Sequence, residues 1–280
     1  MISIVIPILN EAENIEKLLF HLIDNASLIN IQEIIVVDGG STDGSQELVK
    51  NLDLKVILLN SKKGRATQMN RGAKIAKGEI LYFLHADSYP PTHYDKYIID
   101  EVKQNNQAGC FRLTFNNNHW WLRLASWFTQ FSWRACRGGD QSQFITKALF
   151  EDIGGFDERF TIYEDNILIN ELYKRKEFVV INKKIITSDR LYKRHGIWKL
   201  QYHFWVIYIK KWFGANPPNL TVTARSRGKD WIYSYLCIYP FISRTRTSTR
   251  SSVAPWLLCT VRLQHNRNGS IVRLANPRAP

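Results

Sequence analysis

Short apolar runs alternate with amphipathic patterns along the first third of the chain. The runs are apolar at every position rather than at alternate ones, which is typical of strands buried on both faces. They predict strands at residues 2–9, 34–37, 56–59 and 80–84. The segments between them predict helices at residues 11–25, 43–50 and 65–77. Strand–helix–strand repetition implies right-handed crossovers, so we expect an α/β fold with a parallel sheet covered by helices.

Beyond residue 105 the pattern is looser and the predicted elements are less regular. Strands are predicted at residues 108–115 and 143–146, with a pair of short strands within 178–186. Helices are predicted at residues 119–135, 164–176 and 197–213, and Pro217 and Pro218 follow the last one. From residue 225 onward serine, threonine and arginine dominate without helical or strand periodicity, so this segment is left out of the fold prediction.

The composition suits a globular protein with a sizeable core. Of the 280 residues, 45% are apolar and 12% aromatic, which excludes a largely disordered chain. The formal charge of +13 is uneven, because residues 225–280 hold ten Lys or Arg and one acid, whereas residues 1–224 hold 28 and 24. This tail either binds anionic lipid or nucleic acid or is an extension without a selected fold, and we favour the extension. No nucleic-acid partner is therefore predicted.

Cysteine usage and the start of the chain predict a cytoplasmic protein. The four cysteines show neither a C-x-x-C pair nor the spacing of zinc ligands, as expected for reduced cytosolic thiols. The chain opens directly into its first strand without a basic leader, and no apolar run reaches the ~18 residues of a membrane span.

Polar side chains follow three of the predicted strands where each strand ends. Asn10 and Glu11 follow the first strand, Asp38 ends the second, and His85 and Asp87 follow the fourth. The carboxyl ends of parallel strands meet at one edge of a sheet, where ligands bind, so we expect these groups to converge. Each acid also has a structural alternative, because a carboxylate in such a position can shape a glycine turn or cap the next helix.

The residue types at this edge fit a nucleoside diphosphate. The glycine-rich stretch after Asp38 matches neither G-x-G-x-x-G nor the P-loop pattern, but an ionised carboxylate there can accept hydrogen bonds from a base N–H. Lys63 and Arg65 precede a predicted helix, where they suit phosphates, although a solvated surface is the alternative for the lysine. In an extended segment His85 and Asp87 point the same way, as ligands of Mn²⁺ or Mg²⁺ would.

Several motifs together resemble a known family. The segments IVIPILNE from residue 4, VVDGGSTDG from residue 36, GRATQMNRG from residue 64 and FLHAD from residue 83 resemble family-2 inverting glycosyltransferases of GT-A fold. GDQ at residue 139, GGF at residue 154 and ED at residue 164 follow in the order of that family. The resemblance spans residues 1–220 and is to small, non-processive members of bacterial type.

The resemblance implies a GT-A-type, Rossmann-like, mostly parallel sheet flanked by helices, with a smaller acceptor-side region and a C-terminal aromatic helix. Residues 1–105 would form a nucleotide-sugar-binding α/β half. Residues 106–224 would form the acceptor-side half of the same domain, with the catalytic base, and residues 225–280 an atypical basic tail. The implied donor-binding residues are Pro7, Asn10, Glu11, Asp38, Gly40, Lys63, Arg65, Asn70, His85, Ala86 and Asp87.

Specific roles follow from the same resemblance. Asp87 resembles the second acid of the D-x-D motif, which holds a divalent Mn²⁺ or Mg²⁺ against the diphosphate, and His85 stands where the first acid usually lies. Asp165 resembles the catalytic base, with Glu164 supporting it. The expected partners are a nucleotide-diphosphate sugar and a sugar, lipid-linked or small-molecule acceptor.

The acceptor side is implied more loosely. Asp140 and Gln141 resemble the acceptor-side loop of the family. Arg194 and Trp198 only echo the Q-x-x-R-W motif of processive polysaccharide synthases, so chain-extending synthesis is not expected.

Two other functions stay open from the sequence. A sugar-1-phosphate nucleotidyltransferase shares this fold class but needs a glycine-rich triphosphate loop after the first strand, where this chain has NEAE from residue 10. A non-enzymatic basic protein that binds membranes or nucleic acid would depend on the tail. The aromatic helices at residues 119–135 and 197–213 either lie peripherally on the inner membrane face or pack into the core, and we favour the core.

Overall fold

The structure of the chain, a computed structural model, describes residues 1–160, 163–212, 224–226 and 229–231. All of these residues belong to one compact unit, Met1–Pro240. The atypical tail predicted at residues 225–280 therefore lies outside the described residues, apart from the two short segments, and so does residue 213 of the last predicted helix.

One mixed sheet organises the molecule. Its strands are β1 (Ile2–Ile8), β2 (Ile31–Asp38), β3 (Val56–Asn60), β4 (Ile80–Phe83), β5 (Ser88–Tyr89), β6 (Ala108–Phe115), β7 (Gln143–Thr146) and β8 (Val179–Thr187). They lie in the order β3-β2-β1-β4-β7-β6-β8-β5. Neighbours from β3 to β4 are parallel, as are β6 and β8, whereas β7 is antiparallel to β4 and β6, and β5 to β8. The predicted α/β class with a mostly parallel sheet is confirmed.

Helices flank this sheet along the chain. Their bounds are α1 (Ile15–Asp24), α2 (Ser45–Asn51), α3 (Arg65–Ile75), α4 (Tyr94–Lys103), α5 (Trp120–Phe128), α6 (Lys147–Ile153), α7 (Glu164–Arg175), α8 (Arg190–His195) and α9 (Ile197–Trp212). The sequence pattern does not predict α4, α6, α8 or β5. The short strands β9 (Ala224–Ser226) and β10 (Lys229–Trp231) form a separate antiparallel pair. Within the described ranges, no helix combines the length and apolarity needed to cross a bilayer.

The first helix begins later than its hydrophobic pattern predicts. It was expected from residue 11 but starts at Ile15. The backbone N–H of Glu11 donates to Ser45 Oγ at 2.9 Å, and that of Ala12 donates to Asp43 Oδ2 at 3.0 Å. These N–H groups bind residues that follow β2. The segment after β1 is therefore held at the edge of the sheet, and the helix begins only beyond it.

Two elements of the second half also differ from the prediction. The helix predicted to residue 135 ends at Phe128. The hydroxyl of Thr129 donates to Ser126 O at 2.6 Å and accepts from Leu113 N at 3.0 Å, which ties the chain back to β6. The predicted pair of strands within residues 178–186 is the single strand β8, whose pairing with β6 shifts register between Ile181 and Lys184.

Both faces of the central strands are buried. Ile4 and Ile6 of β1 belong to a core cluster that includes α1, whereas Val5 of β1 and Val37 of β2 belong to a second cluster that includes α3. Alternate residues thus pack against helices on opposite sides of the sheet, as continuously apolar strands require.

Helix α3 lies unusually close to the strands beneath it. Gln68 Nε2 donates to Ile8 O at 2.8 Å and to Val37 O at 2.7 Å. A Cβ atom at Gly72 would clash with Val5 and stand 3.1 Å from Val37 Cγ2. The start of α3 is therefore held at the edge where β1 and β2 end.

Replacing Gly72 with valine should separate α3 from the sheet. Overpacking of this kind costs about 2–3 kcal/mol of unfolding free energy. Urea unfolding followed by circular dichroism measures this cost, and Lys74→Ala, at an exposed position of the same helix, is the matched control. An unchanged midpoint for Gly72→Val would contradict the close approach described here.

Candidate active site

The segment after β1 and the loop after β2 hold each other in place. Asn10 N donates to Ser41 Oγ at 2.8 Å, and Thr42 N donates to Asn10 Oδ1 at 2.8 Å. Asn10 adopts a left-handed conformation with φ of 57°, which asparagine tolerates better than most residues. Glu11 is anchored by its N–H to Ser45. We call this side of the sheet, where β1, β2 and β4 end, the carboxyl edge.

Asp38 is fully buried at the end of β2, and its own loop occupies its carboxylate. Oδ2 accepts from Gly40 N at 2.8 Å and from Gln46 Nε2 at 2.7 Å, while Ser41 donates from both its N–H and its hydroxyl. Burial raises the pKa of Asp38, but these hydrogen bonds outweigh burial and hold the pKa below its usual value. The carboxylate is ionised and shapes the glycine turn, and its contact with a nucleotide base stays a prediction.

Asp87 lies in the turn after β4, close to Glu11. Arg190, which begins α8, brings them together, because its Nη2 lies 2.9 Å from Glu11 Oε1 and 3.7 Å from Asp87 Oδ2. Burial raises the pKa of Asp87 to about 6; His85 and Arg190 oppose this rise, whereas Asp140 and Glu11 add to it. The structure therefore connects the ends of β1, β2 and β4 at one edge.

His85 faces an acid from the other half of the chain. Its Nδ1 lies 3.6 Å from Oδ1 of Asp140, which is buried in the 3₁₀ turn Gly139–Gln141. Burial lowers the pKa of His85, but the carboxylates of Asp140 and Asp165 outweigh burial and raise it. The doubly protonated imidazole has no lone pair for a metal, whereas a neutral His85 that donates Nδ1–H to Asp140 keeps the lone pair of Nε2 for one.

Glu164 and Asp165, in the first turn of α7, both lie against Arg65 at the start of α3. Arg65 Nε donates to Glu164 Oε1, and Arg65 Nη2 lies 3.5 Å from Asp165 Oδ2. Burial raises the pKa of Glu164 and outweighs the opposing effect of Arg65. A Cβ atom at Gly139 would stand 2.7 Å from Asp165 Cγ, so only glycine fits beside this carboxylate. Arg65, predicted to bind phosphates, here balances two buried acids.

Three predicted site residues make their contacts away from these acids. Lys63 is exposed to solvent. The amide of Asn70 donates to Phe156 O at 2.9 Å and accepts from Phe156 N at 2.9 Å, which fixes the loop before α7. The amide of Gln141 turns inward and accepts from the fully buried Arg137 at 2.6 Å. Their donor-side and acceptor-side roles stay predictions.

The remaining predicted residues are placed as follows. Pro7 lies within β1, Gly40 has φ of 96° in the loop after β2, and Ala86 is buried in the turn after β4. Arg194 is exposed on α8, and Trp198 packs against tryptophans of α5. The two residues that loosely resemble the Q-x-x-R-W motif therefore lie on different helices, Arg194 on α8 and Trp198 on α9.

Sequence reasoning missed Arg190 and Gln68. Arg190 lies three residues after the end of β8, so the rule that ligands bind where parallel strands end could have pointed to it. Gln68 lies three residues after Arg65 on the face of α3 that meets the sheet, and an amide on such a face signals a contact with strand-end carbonyls.

The residues of the carboxyl edge fit a divalent cation only if substrate phosphates and water supply the remaining ligands. Among the described residues, the buried atoms Asp140 Oδ2 and Glu164 Oε2 have no hydrogen-bond partner, and no group of three or more His, Cys, Asp or Glu is arranged to hold a metal. Asp87, crowded by two other acids, offers one carboxylate ligand. Mg²⁺ and Mn²⁺ at sites of this kind take one or two carboxylates together with substrate phosphates and water.

Solved structures identify the class of fold. The crystal structure of residues 1–349 of TarS from S. aureus in complex with UDP superposes with a TM-score of 0.57 at 16% identity, covering 78% of this chain and 68% of that one. The mannosyltransferase PcManGT from Pyrobaculum calidifontis, in complex with GDP-Man and Mn²⁺, gives a TM-score of 0.53 at 19% identity, covering 78% and 66%. The chain has the GT-A-type, Rossmann-like fold.

The sequence comparison gives the family. Residues 3–169 match the family described as Glycosyl transferase family 2, and the chain belongs to that family. A dolichol-phosphate mannosyltransferase from Pyrococcus furiosus is 36% identical over 109 residues. That match covers 38% of this chain and spans only 31% of the relative.

Removing the guanidinium of Arg65 should leave the buried carboxylates of Glu164 and Asp165 without their positive partner. Arg65→Met should lower the unfolding free energy at pH 7 by about 2–4 kcal/mol, less than for a fully enclosed pair because Arg65 is 21% exposed. Lys63→Met, at an exposed neighbouring position, is the control and should change little.

The deficit of Arg65→Met should also depend on pH. Without Arg65, the pKa of Glu164 rises further, so the folded variant binds more protons than its unfolded state. The variant should therefore regain stability as the pH falls from 7 to 5, as measured by urea unfolding at each pH. A deficit that grows over this range would contradict the described pair.

Proposed function

We propose that the chain transfers a sugar from a nucleotide-diphosphate sugar to an acceptor hydroxyl, with inversion at the anomeric carbon. The observation that carries this proposal is the acidic carboxyl edge, where the ends of β1 and β4, the turn at Gly139–Gln141 and the start of α7 supply carboxylates around two arginines. Such an arrangement suits a reaction that expels a diphosphate and removes a proton. Membership of the glycosyltransferase family supports it.

The donor's base and ribose bind at the paired loops after β1 and β2. Pro7 lies within β1, and Asn10, Glu11 and the loop after Asp38 are fixed by their mutual hydrogen bonds before any ligand arrives, which lowers the ordering cost of binding. The structures of related fold hold UDP in one case and GDP-Man in the other, which supports a nucleoside diphosphate sugar as the donor class.

The diphosphate binds beside Asp87. A divalent cation, Mn²⁺ or Mg²⁺, held by Asp87 would stabilise the negative charge that develops on the leaving diphosphate. Arg190 keeps Asp87 next to Glu11 and supplies positive charge at the same place. The exposed Lys63 adds a cation on the side of α3, whereas Arg65 pairs with Glu164 and Asp165.

Asp165 acts as the base. The acceptor oxygen bonds to the anomeric carbon from the face opposite the diphosphate, the bond from that carbon to the diphosphate breaks, and the electron pair leaves with the diphosphate. Asp165 takes the hydroxyl proton as this happens. Arg65 lies against Asp165 and Glu164 alike, and Gly139 packs directly against the Asp165 carboxylate, so both neighbours hold it in position.

The acceptor approaches on the side of Asp140 and Gln141. A sugar, a lipid-linked molecule or a small molecule each fits this proposal. The similarity to a dolichol-phosphate mannosyltransferase favours a lipid-linked acceptor among them. The proposed location is the cytoplasm, including its membrane face.

A panel of UDP-, GDP- and dTDP-sugars, each tested with and without Mn²⁺, tests donor binding. One donor at about 100 times its dissociation constant should raise the thermal unfolding midpoint by about 5 °C or more, with Mn²⁺ required. Asp87→Asn should abolish the metal-dependent part of this shift, whereas Asp53→Asn, at an exposed site, should keep it. No metal-dependent shift with any donor would count against the proposal.

Replacing Asp165 with asparagine separates donor binding from transfer. Asp165→Asn should lower kcat by about 10²–10⁴-fold because the proton has no acceptor, while the donor's midpoint shift persists. Asp152→Asn, whose exposed carboxylate pairs with Arg175, should leave kcat unchanged. Transfer is measured as nucleoside diphosphate released in the presence of acceptor. An active Asp165→Asn variant would remove Asp165 from its role as base.

A further inference from the structure

Helices α5 and α9 expose aromatic side chains along one side each. On α5, Trp120 and Trp127 are 58% and 50% exposed and stand two helical turns apart. On α9, Trp198, Tyr202 and Trp205 are likewise exposed, at the spacing of a single helix face. We call these five side chains the aromatic face.

Helices α5 and α9 are also apolar on the sides that face away from the aromatic face. Leu122 and Ala125 of α5 and Leu200 and Phe204 of α9 are buried in the core. A surface helix of a soluble protein normally turns polar residues toward water. The core-packing alternative for these helices therefore describes only their inner sides, and the outer sides need another explanation.

Ring contacts join the exposed sides into one surface. Trp198 lies against Trp120 and Trp121, with ring centroids 6.0 and 5.5 Å apart. Trp121 is half-buried, and its Nε1 donates to Gln201 Oε1 at 3.1 Å. Because these contacts fix α5 and α9 to each other, the part of the aromatic face around Trp120 and Trp198 is preformed.

The charge of these segments indicates what covers them. Neither residues 102–139 nor residues 190–229 contain an aspartate or glutamate. Exposed cations lie among the aromatic side chains, with Arg123 on α5 and Lys199 on α9. Tryptophan and tyrosine favour the boundary between headgroups and acyl chains, and lysine and arginine at that level bind anionic headgroups. A second copy of the chain would bring like charges together.

We propose that the aromatic face docks on a bilayer surface that contains anionic lipid. The rings enter the headgroup–acyl boundary while Arg123 and Lys199 contact the headgroups. The helices lie on the bilayer rather than across it. This docking is independent of the transfer chemistry, so the two proposals can fail separately.

Partition of the full chain onto vesicles tests the proposal. The vesicles contain phosphatidylglycerol and phosphatidylcholine in equal parts, with phosphatidylcholine alone for comparison. The double substitution Trp120→Ser/Trp198→Ser should weaken partition onto the anionic vesicles by about tenfold or more. The matched control Leu28→Ser/Ile29→Ser removes two exposed apolar side chains from another surface and should leave partition unchanged.

A second measurement separates ring insertion from binding through the basic tail. Phospholipids brominated on the acyl chains should quench the tryptophan fluorescence of the unaltered chain, and Trp120→Ser/Trp198→Ser should lose much of that quenching. Circular dichroism checks that the variant is folded. The quenching measured on the unaltered chain does not depend on the folding of any variant.

Several outcomes would overturn the docking proposal. Partition that survives the double substitution and disappears in high salt would assign binding to the tail alone. Loss of a dimer in the double variant, seen by sedimentation, would assign the face to a second copy. Protection of the exposed tryptophans from iodide quenching in lipid-free protein would mean that the chain's own residues cover the face.

Discussion

Arg65 and Arg190 each contact two carboxylates that lie far along the chain from the arginine itself. Arg65 joins α3 to Glu164 and Asp165 of α7, and Arg190 joins α8 to Glu11 and Asp87. Buried carboxylates cost several kcal/mol each unless opposite charges accompany them. The two arginines therefore make it possible for the fold to gather acids at one edge, and the proposed chemistry needs those acids close together.

The first half of the sheet could be predicted because its strands and helices follow from patterns within short stretches of sequence. Strands apolar at every position must be buried on both faces, and helices between parallel strands must cross over with one hand. The second half obeys different constraints. The antiparallel strand β7 lies between β4 and β6, and β8 continues as one strand through a register shift in its pairing with β6. Such pairings depend on neighbours far along the chain, which periodicity does not reveal.

The site likewise has features that the nearby sequence predicts and features that depend on distant contacts. The rule that strand ends meet at one edge brought out Glu11, Asp38 and Asp87 from the sequence. The glycine turn shaped by Asp38 was foreseen only as the alternative to base binding. The contact of Arg65 with α7 was not foreseen, because it depends on how helices fold over the edge. The amides of Asn70 and Gln141 illustrate the limit further, since each makes its contacts within the protein scaffold.

Arg137 links the surface of α5 to the acidic edge. Its fully buried guanidinium donates to the carbonyls of Thr129 and Phe131, just after α5, and to Gln141, the neighbour of Asp140. A fully buried cation loses much stability when its partners are removed, so Arg137 ties the segment after α5 to the turn at Asp140. One buried side chain therefore positions both the outer segment after α5 and the turn that carries Asp140.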